Sequence, residues 1–163
     1  MYSRAERAPK RDETSQRRGQ FPEKILLIED DESFSQAFAF ALEQEGGEVM
    51  IAADSFEAGN LMSQFAFGLV ITDWRLPVVN GFSTLRNAEQ SLSLDPTAPS
   101  EWFGNHKIPV IVITACDKGE IERERRLKGC FKFLGVVSKE QPMEGILAQI
   151  RVLYGNSPLA ATG

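Results

Sequence analysis

The chain has 163 residues, 42% of them apolar, and a net charge of −5. That composition suits one compact domain with tails, and no apolar run reaches the roughly 18–20 residues that a membrane-spanning helix needs. Two cysteines, Cys116 and Cys130, are too few for a disulfide scaffold and lack metal-ligand spacing, so both are expected to be reduced thiols.

Residues 1–20 carry six bases (Arg4, Arg7, Lys10, Arg11, Arg17, Arg18) against three acids (Glu6, Asp12, Glu13), a local +3 that leaves −8 for the rest. An acidic body argues against a broad nucleic-acid-binding face. The basic stretch is not followed by the apolar core of a secretory signal. It reads as a disordered extension, with contact to an anionic partner as the other reading. A cytoplasmic location is the expectation.

Order is expected from Phe21-Pro22. Lys24-Ile25-Leu26-Leu27-Ile28 is a continuous apolar run that ends in acids, as in a strand buried on both faces. From Ser33, the residues Phe34, Ala37, Phe38, Ala41 and Leu42 recur at helical spacing until Gly46-Gly47. Val49–Ala52 reads as a second strand, and Ser55 as the cap of a helix bearing Phe56, Leu61, Met62 and Phe65. Gly68–Thr72 is a third strand ending at Asp73. After a loop with Pro77 and Gly81, a helix is expected near Phe82–Gln90, then a long polar loop over about 91–107. Ile108–Ile113 is a fourth strand ending at Thr114, and Lys118–Lys128 a charged helix. Val136-Val137 forms the core of a short fifth strand ending at Lys139, and Pro142 starts a last helix through Leu153. The domain is bounded at 21–155, and 156–163 is read as a disordered tail.

Five strands alternating with five helices predict a doubly wound, open parallel α/β sheet with helices on both faces. In such a sheet the ligand crevice lies outside the carboxyl ends of the strands. Strand one ends there in Glu29-Asp30-Asp31, strand three in Asp73, strand four in Thr114 and strand five in Lys139. Crowded carboxylates repel by about 4 kcal/mol per pair at an effective dielectric of 20. A magnesium ion relieves that repulsion and accepts phosphate oxygens as further ligands. A carboxylate can then act as a nucleophile toward phosphorus, while a lysine and a hydroxyl neutralise the transferring group.

These segments resemble the receiver domain of two-component response regulators over roughly residues 24–154. Ile25-Leu26-Leu27-Ile28-Glu29-Asp30-Asp31-Glu32 is similar to the family's first strand and acidic pair. Leu69–Pro77 with Asn80-Gly81-Phe82 resembles the phosphoacceptor segment, Ile108–Ala115 the strand with the switch threonine, and Val137-Ser138-Lys139 the lysine segment. The resemblance implies a (βα)5 flavodoxin-like three-layer sandwich with strand order 2-1-3-4-5. It implies Asp73 as phosphoacceptor, with Thr114 and Lys139 contacting the phosphoryl group. It implies Mg2+ (or Mn2+) held by Glu29, Asp30, Asp73 and the backbone carbonyl of Arg75, with Asp30 the direct acidic ligand of the pair. Ala115 is small, as the family requires for access to the site.

Departures from the family pattern are as specific. Arg75, two residues past the acceptor, is expected to slow loss of the phosphoryl group or to swing into solvent. Val136 stands where the family has an aromatic switch residue, and Phe131 or Phe133 is a candidate substitute. The segment from Gly129 to Lys139 is about three residues longer than usual, and Glu140-Gln141-Pro142 follows Lys139 in place of a Lys-Pro dipeptide. Lys132 is a weaker rival for the lysine role. Phe40 falls on the polar stripe of the first helix, is expected to be exposed, and is a candidate docking contact. Trp102 and Phe103 in the long loop are read as a partner-binding patch or as folded back onto the domain.

Expected partners are a sensor histidine kinase or a histidine phosphotransfer protein, and a downstream target protein. The sole histidine, His106, lies in a loop and is a poor internal donor. A homodimer through the fourth helix, fifth strand and fifth helix is the possible self-association. No output or DNA-binding domain is expected after Tyr154. The chain is read as a signalling module, not an enzyme, although it assists its own phosphorylation and dephosphorylation. A receiver-like adaptor that works without phosphorylation is the alternative. A flavodoxin-type cofactor binder lacks its phosphate loop here, a haloacid-dehalogenase-type phosphatase lacks its paired aspartates, and a dinucleotide enzyme lacks its glycine fingerprint.

Overall fold

The computed structural model describes residues 21–103, 107–115, 118–123 and 129–157. Expectations for residues 1–20, His106, Cys116, the end of the charged helix and the last residues of the tail lie outside them. Within them β1 is Lys24–Ile28, α1 Glu32–Glu43, β2 Glu48–Ala52, α2 Ser55–Gln64, β3 Leu69–Asp73 and α3 Gly81–Ser93. There follow β4 Ile108–Thr114, α4 Lys118–Arg123, β5 Phe131–Ser138 and α5 Met143–Gly155. The five strands form one parallel sheet in the order β2-β1-β3-β4-β5, the expected architecture. Among the described residues, no helix is long and apolar enough to cross a membrane.

Strand residues alternate between two apolar layers, which is why β1, β3 and β4 are near-continuous apolar runs. Ile25, Leu27, Leu69, Ile71, Ile111, Ile113 and Val137 face α1 and α5. Leu26, Ile28, Val70 and Val110 meet α2, α3 and the aromatics Phe67, Trp102 and Phe131 on the other side. Each fully buried large side chain contributes roughly 1.5–3 kcal/mol of transfer free energy. Those layers hold the strand ends, and so the crevice, in a fixed arrangement.

Four expectations need correction. The cap of α2 is Asp54, not Ser55: its carboxylate accepts the Glu57 N–H at 2.8 Å, and Glu57 in turn accepts the Ala53 N–H at 2.7 Å. An aspartate cap reinforced by a glutamate three residues on outcompetes a serine one position later. The helix expected at Phe82–Gln90 runs to Ser93 because Leu92 is buried on the same face as Leu85 and Ala88. The segment after it is therefore shorter than the predicted loop, and it contains a 3-10 helix at Ser100–Phe103. That turn folds Trp102 into the core at 1% exposure, where its indole N–H donates to the Met62 carbonyl at 2.7 Å. Trp102 is thus no surface contact, and the side chain of Phe103 lies outside the described residues.

The last correction is β5, which is eight residues long, not a short strand around Val136. Phe131 pairs with Ile108 and Phe133 with Val110. The register then slips, so that Gly135 meets Ile111 and Val136 meets Val112. Leu134 is the extra residue of a bulge, which lets aromatics before it and Val136 after it share one face.

Candidate acidic site at the carboxyl end of the sheet

Each site residue is placed by the element that precedes it. Glu29 directly follows β1, where its N–H donates to the Ala52 carbonyl at 2.9 Å. Its side chain is 1% exposed, and Oε1 accepts the Asp31 N–H at 3.1 Å. Asp31 is committed elsewhere: it caps α1 by accepting the Phe34 N–H at 2.9 Å. That leaves the exposed Asp30 as the free acid of the run.

Asp73 closes β3 and is 7% exposed. The segment beyond it is pinned tightly. The Trp74 N–H donates to the Ile113 carbonyl at 3.1 Å, and the Gly81 N–H donates to the Trp74 carbonyl at 3.0 Å. A bridge between Arg75 and Asn80 closes the intervening loop, and Asn80 caps α3. Gly81 lies so close that a Cβ there would sit 2.6 Å from the Asp73 carbonyl oxygen. Thr114 ends β4 and is buried, whereas Ala115 beside it is exposed. The Lys139 N–H donates to the Thr114 carbonyl at 2.8 Å, so the end of β4 fixes where the lysine emerges.

The side chains of Glu29, Asp30, Asp73 and Lys139 converge. Oxygens of the three acids lie within 4.8 Å of one another. The Lys139 ammonium forms an ion pair with Glu29 Oε2, an oxygen with no other hydrogen-bond partner among the described residues, and lies 3.2 Å from Asp73 Oδ2. Burial pushes the carboxyls of Glu29 and Asp73 above their ordinary values, against the opposing pull of Lys139. Burial works to lower the lysine's value, but the hydrogen bond to Glu29 and the charge of Asp73 prevail and raise it. Three hard oxygen donors at this spacing, two of them costly to ionise unaided, fit an oxygen-seeking divalent cation.

The other expected side chains are not among these four, although the Arg75 backbone hydrogen-bonds Asp73. The Arg75 side chain is exposed, and so is Lys132 on the outer edge of β5. Phe40 is 65% exposed on α1, as its place in the sequence predicted. Val136 packs beside Phe133 against Trp74, Phe82, Val112 and Ile121, while Phe131 belongs to the separate cluster around Trp102. Sequence reasoning missed Phe34, whose ring lies 4.7 Å from the Lys139 ammonium. Its helical spacing marked it only as a core position.

A family profile described as "Response regulator receiver domain" matches residues 25–151. The chain belongs to that family. It is 32% identical over 111 residues to a probable transcriptional regulator, ycf29, of Pyropia yezoensis, an alignment covering 68% of this chain and 45% of that protein. The receiver therefore spans about half the length of that relative. A CheY-like receiver domain protein of Methanospirillum hungatei superposes with a TM-score of 0.62 at 23% identity, covering 86% of this chain and 98% of that one. The receiver domain of a sensor histidine kinase of Pseudomonas aeruginosa, solved with magnesium in its active-site cleft, superposes with a TM-score of 0.56 at 21% identity over 82% and 98%. Receivers are modules of two-component signalling, and the fold of this chain is theirs.

Proposed function

We propose that this receiver accepts a phosphoryl group on Asp73 from a phosphohistidine of a separate protein, a sensor histidine kinase or a phosphotransfer protein. The observation that carries the reading is the convergence of Glu29, Asp30, Asp73 and Lys139 at one end of the sheet. Glu29, Asp30 and Asp73 would hold the divalent cation, magnesium in this reading, with the carbonyl of Arg75. When bound, that cation neutralises oxygen charge on the carboxylates and on the incoming group. An oxygen of Asp73 forms the new bond to phosphorus as the donor's nitrogen–phosphorus bond breaks, and the freed imidazole nitrogen takes a proton. Lys139 compensates the negative charge gathered around the acceptor, and Thr114 lies on the neighbouring strand end to meet a phosphoryl oxygen.

The exposed Phe40 is a contact for the phosphodonor in this reading. Added charge at Asp73 is relayed to the face made by α4, β5 and α5, where a downstream target would bind. The test is incubation with acetyl phosphate and Mg2+, followed by intact-mass measurement. One phosphoryl group on the wild type and none on Asp73→Asn is the expected result. No phosphoryl group on the wild type would point to the phosphorylation-independent adaptor, and one on the Asn variant would overturn Asp73 as the acceptor.

A further inference from the structure

The lysine at the site has two kinds of neighbour. Glu29 and Asp73 draw its ammonium by charge, but theirs are the same oxygens that would hold a cation. They cannot serve both at full strength. The third neighbour is the ring of Phe34, 4.7 Å from the ammonium. An aromatic face attracts a cation through its quadrupole and offers no oxygen that a metal ion would claim. The ring also has no competing ligand and does not titrate.

Phe34 is itself held firmly. Its backbone N–H is fixed by the Asp31 cap at 2.9 Å, and its ring meets that of Phe38 at a tilt of 47°, 5.6 Å between centroids. Phe38 is fully buried in the layer between α1 and the sheet. A lysine carries much rotamer freedom in its four-carbon stem. Seating its charged end on a ring anchored to the core restricts that freedom before any reaction begins.

We propose that Phe34 is a positioning residue: the face of its ring holds the Lys139 ammonium beside Asp73. The role rests on the phosphoacceptor reading above, and it accounts for a half-buried aromatic whose ring faces a charge at its open side.

Three variants separate this role from core packing. Phe34→Tyr keeps the aromatic face, whereas Phe34→Leu and Phe34→Met keep apolar bulk without it. The first readout needs neither metal nor phosphodonor. The ε-methylene protons of Lys139, assigned by their loss in Lys139→Met, should show an upfield ring-current shift in wild type and Phe34→Tyr. That shift should vanish in Phe34→Leu and Phe34→Met. The second readout is the rate of phosphoryl gain from acetyl phosphate with Mg2+. It should fall roughly 3- to 30-fold in the Leu and Met variants and stay near wild type in Phe34→Tyr. Thermal unfolding identifies any variant too unstable to compare, and two aliphatic replacements guard against losing one. An unshifted Lys139 resonance in the wild type would overturn the proposal, as would an aliphatic variant that reacts at the wild-type rate. If the wild type gains no phosphoryl group, the role falls with the reading of the site. A shifted resonance in that case shows that the reading, and not the contact, was at fault.

Discussion

At Gly81 the absence of a side chain is a structural requirement. A Cβ would meet the Asp73 carbonyl oxygen at 2.6 Å and the Thr72 side chain at 2.9 Å, both in a buried strand end. Neither neighbour is a flexible tip that can swing aside. Gly81→Ala should therefore cost about 1–3 kcal/mol in urea unfolding. It should also reduce phosphoryl gain at Asp73 by more than the stability loss explains, because the clash is on the backbone of that proposed acceptor. A variant with wild-type midpoint and wild-type labelling would show that the loop yields freely. Cys130 makes the opposite kind of residue-scale case. Burial and the neighbouring Glu89 push its thiol up to about 12. In a Cys116→Ser background, native protein at pH 8 should therefore resist alkylation at Cys130 until it is unfolded. Rapid labelling of the folded form would refute that environment.

At the scale of elements, the bulge in β5 decides which aromatic serves the β4–β5 side of the sheet. Trp74, next to Asp73, meets the Phe82 ring edge-on at 5.2 Å, and Phe82 meets Phe133 in the same manner at 5.2 Å. Three rings thus connect the segment after Asp73 to the edge strand, and Val136 lies beside them as an aliphatic filler. Phe133→Leu should shrink the amide shifts that phosphorylation induces along Lys132–Val136 by at least half. Val136→Ala should leave most of them. The reverse pattern would return the coupling to position 136 and dismiss the ring series. Sequence pattern alone left Phe131 and Phe133 as equal candidates. The alternation Phe131-Lys132-Phe133 marks a strand, but nothing in it shows that one residue is looped out at Leu134. By contrast, strands ending in acids, a hydroxyl and a lysine were readable, because burial of a parallel strand on both faces writes itself as an apolar run with a polar stop. Trp102 was left between a partner patch and a fold-back for a related reason: composition labels a segment polar, whereas one indole finding a carbonyl partner is a tertiary event. The Phe34–Lys139 contact joins the first helix to the last strand end, and no local pattern encodes such a pair.

For the whole molecule, the site is a stability liability that a cation should remove. Burial outweighs Lys139 and raises Asp73 above its ordinary 3.8, and it raises Glu29 likewise above 4.5. A carboxyl raised in this way is most favourable to folding when protonated, below its unfolded value. Its contribution then declines as pH climbs through the raised folded value. Lys139 has the same sign at the alkaline end: its contribution is complete below 10.5 and is lost as pH rises through its own raised value. Once pH has risen past the folded value of Asp73, the metal-free protein holds a poorly solvated carboxylate there at the cost of stability. Asp73→Asn should raise Tm at pH 7 in EDTA, and the gain should shrink on acidification and disappear well below the ordinary value of 3.8, where the wild-type carboxyl is neutral in both states. Mg2+ should produce the complementary effect. At a hundredfold excess over Kd it stabilises the wild type by about 2.7 kcal/mol, roughly 5–15 °C in a domain of this size. Asp30→Asn and Asp73→Asn should lose most of that shift because each removes a donor oxygen. A Tm that ignores Mg2+ in the wild type, or an Asp73→Asn variant less stable than wild type at pH 7 without metal, would mean that Lys139 alone suffices to neutralise the cluster.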